Sequence, residues 1–148
     1  MKAEELMIGD WVRFPSGIDK VVDLPYIEGK GICASFAASA TLFPIPVAMI
    51  EPIPLTPEIL EKNGFVKREM WLAEWYALEY NEEWTDNIRV KFHDQFPWPV
   101  DWGDACIVEQ GRYFSCAIHF IHELQHALKL CGINKEIVIL TNTLTQKN

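Results

Sequence analysis

Residues 55–65, Leu55-Thr56-Pro57-Glu58-Ile59-Leu60-Glu61-Lys62-Asn63-Gly64-Phe65, divide the chain. Thr56 is of the type that caps a helix, because its hydroxyl accepts a free N–H of the first turn. Pro57 sits at the first helical position, where its missing N–H costs nothing. Glu58 places negative charge at the positive end of the helix dipole. Asn63-Gly64 then supplies a left-handed stop. The segment predicts a helix of about two turns, joining two parts of the molecule.

Both parts read as β structure. Upstream, "MIGDWVRF" (7–14) has a Gly-Asp turn followed by alternation, and "KVVDLPYI" (20–27) and "GKGICASF" (29–36) are bounded by Gly, Pro or Asp. Short strands at this spacing suit an SH3-like barrel. "TLFPIPVAMIEPIPL" (41–55) carries four prolines, each lacking a backbone donor, so it is expected as edge strand or extended chain. Downstream, "MWLAEWYALEY" (70–80) is helical by propensity. Its aromatics, with "NIRVKF" and "ACIVEQGRYF" following, favour a run of antiparallel strands. "EYNEEWTDN" is expected as a hairpin loop and "HDQFPWPVDWGD" as a loop-rich connection. A C-terminal helix is expected over 115–131, capped by Ser115, ended by Gly132 and striped by Ala117, Ile121, Leu124, Leu128 and Cys131. "KEIVIL" (135–140) reads as a last strand and "TNTLTQKN" as a fraying tail. The fold class is thus α+β: an SH3-like barrel over 1–55, then over 56–148 a short helix, a second antiparallel sheet and a helix packed on it.

Charge narrows the functional classes. The 148 residues carry 13 Lys and Arg against 21 Asp and Glu, a net −8, which argues against holding a phosphate backbone. An acidic mimic of nucleic acid is the converse reading, and it requires carboxylates spaced along one face. Cys33, Cys106, Cys116 and Cys131 show no C-x-x-C pair, so they read as buried hydrophobes of a reducing compartment. "MKAEELMIGD" holds no apolar run for a signal peptide, and no stretch reaches the roughly 20 apolar residues of a membrane span. A cytoplasmic protein without membrane contact is expected.

One chemical motif stands out. His122-Glu123-Leu124-Gln125-His126 matches H-E-x-x-H, in which two histidines one turn apart hold zinc and the glutamate is general base. A zinc-dependent hydrolase would use His122 and His126 as ligands and Glu123 as base, with zinc as cofactor. A third ligand is then required. No histidine follows His126, and Glu136 is the only acid after the motif. Upstream, His93, Asp94, Asp101 and Asp104 are available without a recommending spacing, and His119 precedes His122 by one turn. Opposite the apolar stripe, the histidines are expected on a solvent-facing side. Asp101 and Asp104 beside Trp98 and Trp102 have the residue types of a carbohydrate site, although tryptophans also anchor loops. Cys131 reads as a core residue, since a helix C-terminus raises a thiol pKa.

Three stretches, "MKAEELMIGDWV", "IEPIPLTPEILEKNGF" and "IHELQHALKLCGI", together resemble a group of uncharacterised small proteins of gut-anaerobe genomes, often found among prophage and mobile-element genes. The resemblance implies a shared fold and no known activity. The group's end motif has the form V-H-x-L-Q. His122, Leu124 and Gln125 match it, whereas Glu123 and His126 lie outside it, so the resemblance implies a structural helix and no zinc dyad. The expectation is a non-enzymatic interaction or assembly module of prophage or mobile-element type. Its partner is another protein, met through exposed aromatics or a free sheet edge, and self-association stays open. On this reading there are no catalytic or cofactor-binding residues.

Overall fold

The computed structural model describes residues 1–37, 43–70, 73–78, 88–92, 106–110 and 114–139. The chain falls into two compact units, Met1–Ile53 with Ile139–Asn148, and Pro54–Val138. The division lies between Ile53 and Pro54, and Ile139 groups with the first unit rather than with the second.

The first unit is built from short strands. They are β1 (Trp11–Phe14), β2 (Gly17–Asp23), β3 (Tyr26–Ile27), β4 (Gly31–Phe36), β5 (Ile45–Pro46) and β6 (Glu51–Pro52), with a 3₁₀ turn at Val47–Met49. All pairings are antiparallel. The path runs β3–β4–β2–β1–β6, with β5 also on β4. No closed barrel is found among the described residues, which form an antiparallel sheet. The prolines shorten its outer strands. Each removes a ladder donor, so β5 and β6 are two residues long and pair with one strand each.

Alternation fixes which side is buried. Val12 and Phe14 of β1, Val21 of β2, and Ala34 and Phe36 of β4 form one core with Leu6, Val47 and Ile50. Phe14 and Phe36 stack with ring centres 4.4 Å apart. Asp10 is fully buried; its Oδ2 accepts the Met7 N–H at 2.7 Å, closing the turn before β1.

The second unit begins with α1 (Pro57–Lys62). Thr56 Oγ1 accepts the Ile59 N–H at 3.4 Å. The helix ends with Gly64 N–H donating to Glu61 O and Phe65 N–H to Leu60 O. That pair of bonds needs a left-handed residue at Gly64, whose φ is 85°. Then come β7 (Val66–Met70), β8 (Ala73–Leu78), β9 (Ile88–Lys91), β10 (Cys106–Gln110) and β11 (Phe114–Ile118). They form one antiparallel meander in which each strand pairs with its sequence neighbours. The aromatic and β-branched residues of 66–115 thus outweigh the helical propensity of "MWLAEWYALEY". The expected loops "EYNEEWTDN" and "HDQFPWPVDWGD" and the expected tail lie outside the described residues. Register places Tyr76, Val90 and Val108 side by side, and all three are buried.

Two expectations near the C-terminus are corrected. The last helix, α2, spans Ile121–Leu130, not 115–131. Ser115 lies inside β11, opposite Glu109, and Ala117 is exposed on that strand rather than part of a helical stripe. A five-residue ladder with β10 satisfies those backbone groups before a helix could. Ile121, Leu124, Ala127 and Leu128 are buried. Gly132 ends α2 as Gly64 ends α1, with Ile133 N–H on Leu128 O and Gly132 N–H on Lys129 O.

"KEIVIL" is not a strand: residues 133–139 carry no ladder. The alternation is nonetheless that of a strand, with Ile137 and Ile139 buried and Val138 exposed. At Val138 the partner is a side chain. The buried Asn63 amide donates through Nδ2 to Val138 O at 2.9 Å and to Ile59 O at 2.8 Å, and Oδ1 accepts the Val138 N–H at 2.7 Å.

Asn63→Ala removes all three bonds and should lower the unfolding free energy by about 2–3 kcal/mol. Asn63→Asp keeps the acceptor but sets a carboxylate against two carbonyl oxygens, so it should be no more stable. Denaturant unfolding of both variants beside wild type checks this; an Asn63→Ala protein with an unchanged midpoint would remove the clamp from the account.

Candidate functional site

The H-E-x-x-H residues lie in the first turns of α2. Leu55 N–H donates to His119 O at 3.0 Å, and Pro54 bridges Phe120 in antiparallel fashion. The chain just before α1 therefore fixes the chain just before α2. Phe120 occupies the N-cap position and offers no side-chain acceptor. A different bond closes the helix start: Glu123 Oε2 accepts the His119 backbone N–H, just before the N-cap, at 2.6 Å. This is close to a capping box, with the carboxylate three residues into the helix closing back on its start. The carboxylate assigned by the motif to general-base work is held in a structural bond.

The histidines depart from the solvent-facing expectation. His122 is 4% exposed, His126 is half-buried, and only His119 is exposed. The His122 ring lies nearly parallel to Phe120, with centres 5.8 Å apart, so an aromatic neighbour draws it inward although it sits away from the apolar stripe. The His126 ring stands edge-on to it, centres 5.6 Å apart. Among the described residues, no third His, Cys, Asp or Glu joins them in a metal-holding group. Of the upstream candidates, His93, Asp94, Asp101 and Asp104 lie outside the described residues, as do Trp98 and Trp102. Glu136 is exposed in the segment after α2.

Two of the described cysteines are held as thiols. Cys33, Cys116 and Cys131 are free thiols. Burial raises the Cys116 pKa, with Cys131 and Glu123 nearby acting in the same sense, and burial raises that of Cys131. Thiols held protonated in this way are weak nucleophiles at neutral pH.

A second polar cluster, which the sequence did not announce, occupies the sheet of the second unit. Arg89 and Lys91 are two apart on β9 and share a face with Trp75 of β8. The Lys91 ammonium lies 4.8 Å from the indole centre and the Arg89 guanidinium 5.4 Å from it. Glu109, opposite Arg89 in the β9–β10 register, stands 3.9 Å from Nη2. Trp75 Nε1 and Arg89 Nε are buried without partners. The alternation Ile88-Arg89-Val90-Lys91 was the available signal: a strand with apolar residues on one side and cations on the other. Lys91 is 5% exposed; burial lowers its pKa, and Glu109 only partly opposes this.

Two outcomes follow. Glu123→Ala should lower stability by about 1 kcal/mol, read by denaturant unfolding, whereas an unchanged midpoint would free this carboxylate for other duty. For Lys91 the folded pKa lies below the unfolded value of 10.5. The unfolded chain therefore binds more protons between those two values, and stability rises with pH across that window. Wild type should gain stability relative to Lys91→Met as pH rises to about 10.5; parallel pH profiles of the two proteins would contradict the burial of this charge.

No protein-family model matches this chain, and neither the curated proteins nor the solved structures searched give a match.

Proposed function

We propose that the protein is a non-enzymatic interaction module whose first unit, built on an SH3-like plan, presents an apolar surface to a protein partner. One observation carries this reading. Tyr26 and Ile32 are opposite each other in the β3–β4 register, yet they are 74% and 43% exposed. Ile32 is two residues from Ala34 and four from Phe36, so it continues the core-facing side of β4 into solvent. A hydrophobic face extended beyond its core is the ordinary mark of a protein-binding surface.

The engaged state of Glu123 supports a non-catalytic reading of α2. Among the described residues, three acids are engaged inside the fold rather than set in a phosphate-like row, which weighs against the nucleic-acid mimic. Asp10 is buried, Glu74 pairs with Lys67 at 3.1 Å, and Glu109 faces Arg89. Among the described residues, no helix is long and apolar enough to cross a membrane.

A photo-crosslinking residue at position 26, in protein expressed in its native host, tests the proposal. A discrete adduct at 26, weakened by Ile32→Asp and absent with the crosslinker at exposed Lys30, is the expected result, whether the captured chain is a different protein or a second copy. No adduct, or equal adducts at 26 and 30, would reject this surface.

A further inference from the structure

The histidine pair on α2 has a geometry that the interaction reading does not use. We propose that His122 and His126 form a two-histidine chelate for a borderline divalent transition-metal ion, non-catalytic and completed by water. The residues are four apart in one helix, so their side chains lie one above the other. Their ring centres are 5.6 Å apart.

A simple construction shows what sharing an ion requires. Zinc sits about 2.0–2.1 Å from an imidazole nitrogen, with the ring centre about 1.1 Å further back. Two rings meeting one ion at about 110° then have centres about 5.2 Å apart. The observed spacing is within about half an ångström of that figure, reachable by small rotations of the side chains. His122 is held against Phe120 at 12° between ring planes, so one ligand is pre-oriented. His126, half-buried beside it, supplies the open side.

Chemistry selects the ion. Neutral imidazoles suit zinc, nickel and copper, whereas magnesium and calcium require oxygen donors. Net charge −8 draws cations towards the protein as a whole. Against this, His122 lies in the first helical turn, where the dipole opposes a cation. With two protein ligands rather than three, binding is therefore weak and exchangeable. Glu123 is left out of the chelate: its Oε2 accepts the His119 N–H.

The test uses untagged full-length protein titrated with Ni(II) and Zn(II) by calorimetry, with thermal unfolding recorded alongside. One ion per chain is expected for wild type, His119→Ala, His93→Ala and Glu123→Gln, together with a metal-dependent rise in midpoint. His126→Ala should weaken binding at least about tenfold. Circular dichroism establishes that this variant is folded; if it is not, His126→Gln replaces it. Mg(II) should give no heat above dilution. Absence of binding in wild type would overturn the proposal, as would unaltered binding in the His126 variant. Binding lost in Glu123→Gln would overturn it in favour of a site that uses the carboxylate.

Discussion

The second unit depends on one buried amide. Asn63 offers Val138 a donor and an acceptor, as a neighbouring strand would, while a second bond ties it to Ile59 of its own helix. Residues 133–139 have no ladder of their own, and backbone groups beside a buried core must be paired. The amide meets that requirement at one residue, and the alternation around it turns Ile137 inward. Because a side chain supplies the pairing at Val138, the position of that side chain must be fixed by its own helix. The Thr56 cap and the Gly64 stop fix α1 at both ends, which places Asn63 where Val138 arrives.

Local signals were legible in the sequence wherever their chemistry is confined to a few neighbouring residues. Thr56, Pro57, Asn63 and Gly64 marked α1, and Gly132 marked the end of α2. The run of aromatic and β-branched residues marked the second sheet. What failed was competition between distant segments. Ala117 and Ile121 fit a helical stripe as well as the strand and helix they actually occupy, and only the ladder with β10 decides between them. "KEIVIL" has a strand's alternation, but nothing local shows that its partner is an amide 75 positions away. The prolines of 41–55 foretold the short strands β5 and β6.

The candidate sites were legible to different degrees. H-E-x-x-H names residue types and spacing, and the structure keeps the spacing while reassigning the glutamate. A carboxylate three residues into a helix is well placed to take a backbone N–H at the helix start, and Glu123 takes that of His119. The inward turn of His122 goes with its stacking on Phe120, which the expected helix over 115–131 placed inside the helix and the structure places at its N-cap. The cations on β9 were visible as an alternation, but their meeting at Trp75 depends on strand register.

The meander of the second unit bears on how the protein folds. Each of its ladders joins strands adjacent in sequence, so every pairing closes a short loop, at small entropic cost and without waiting for a distant segment. Such a sheet can grow strand by strand behind α1 as the chain emerges from the ribosome. Asn63 meets Val138 only when nearly the whole unit has been made. The clamp is thus a late event: it locks a sheet that is already assembled, and it belongs to the barrier against unfolding more than to the rate of folding.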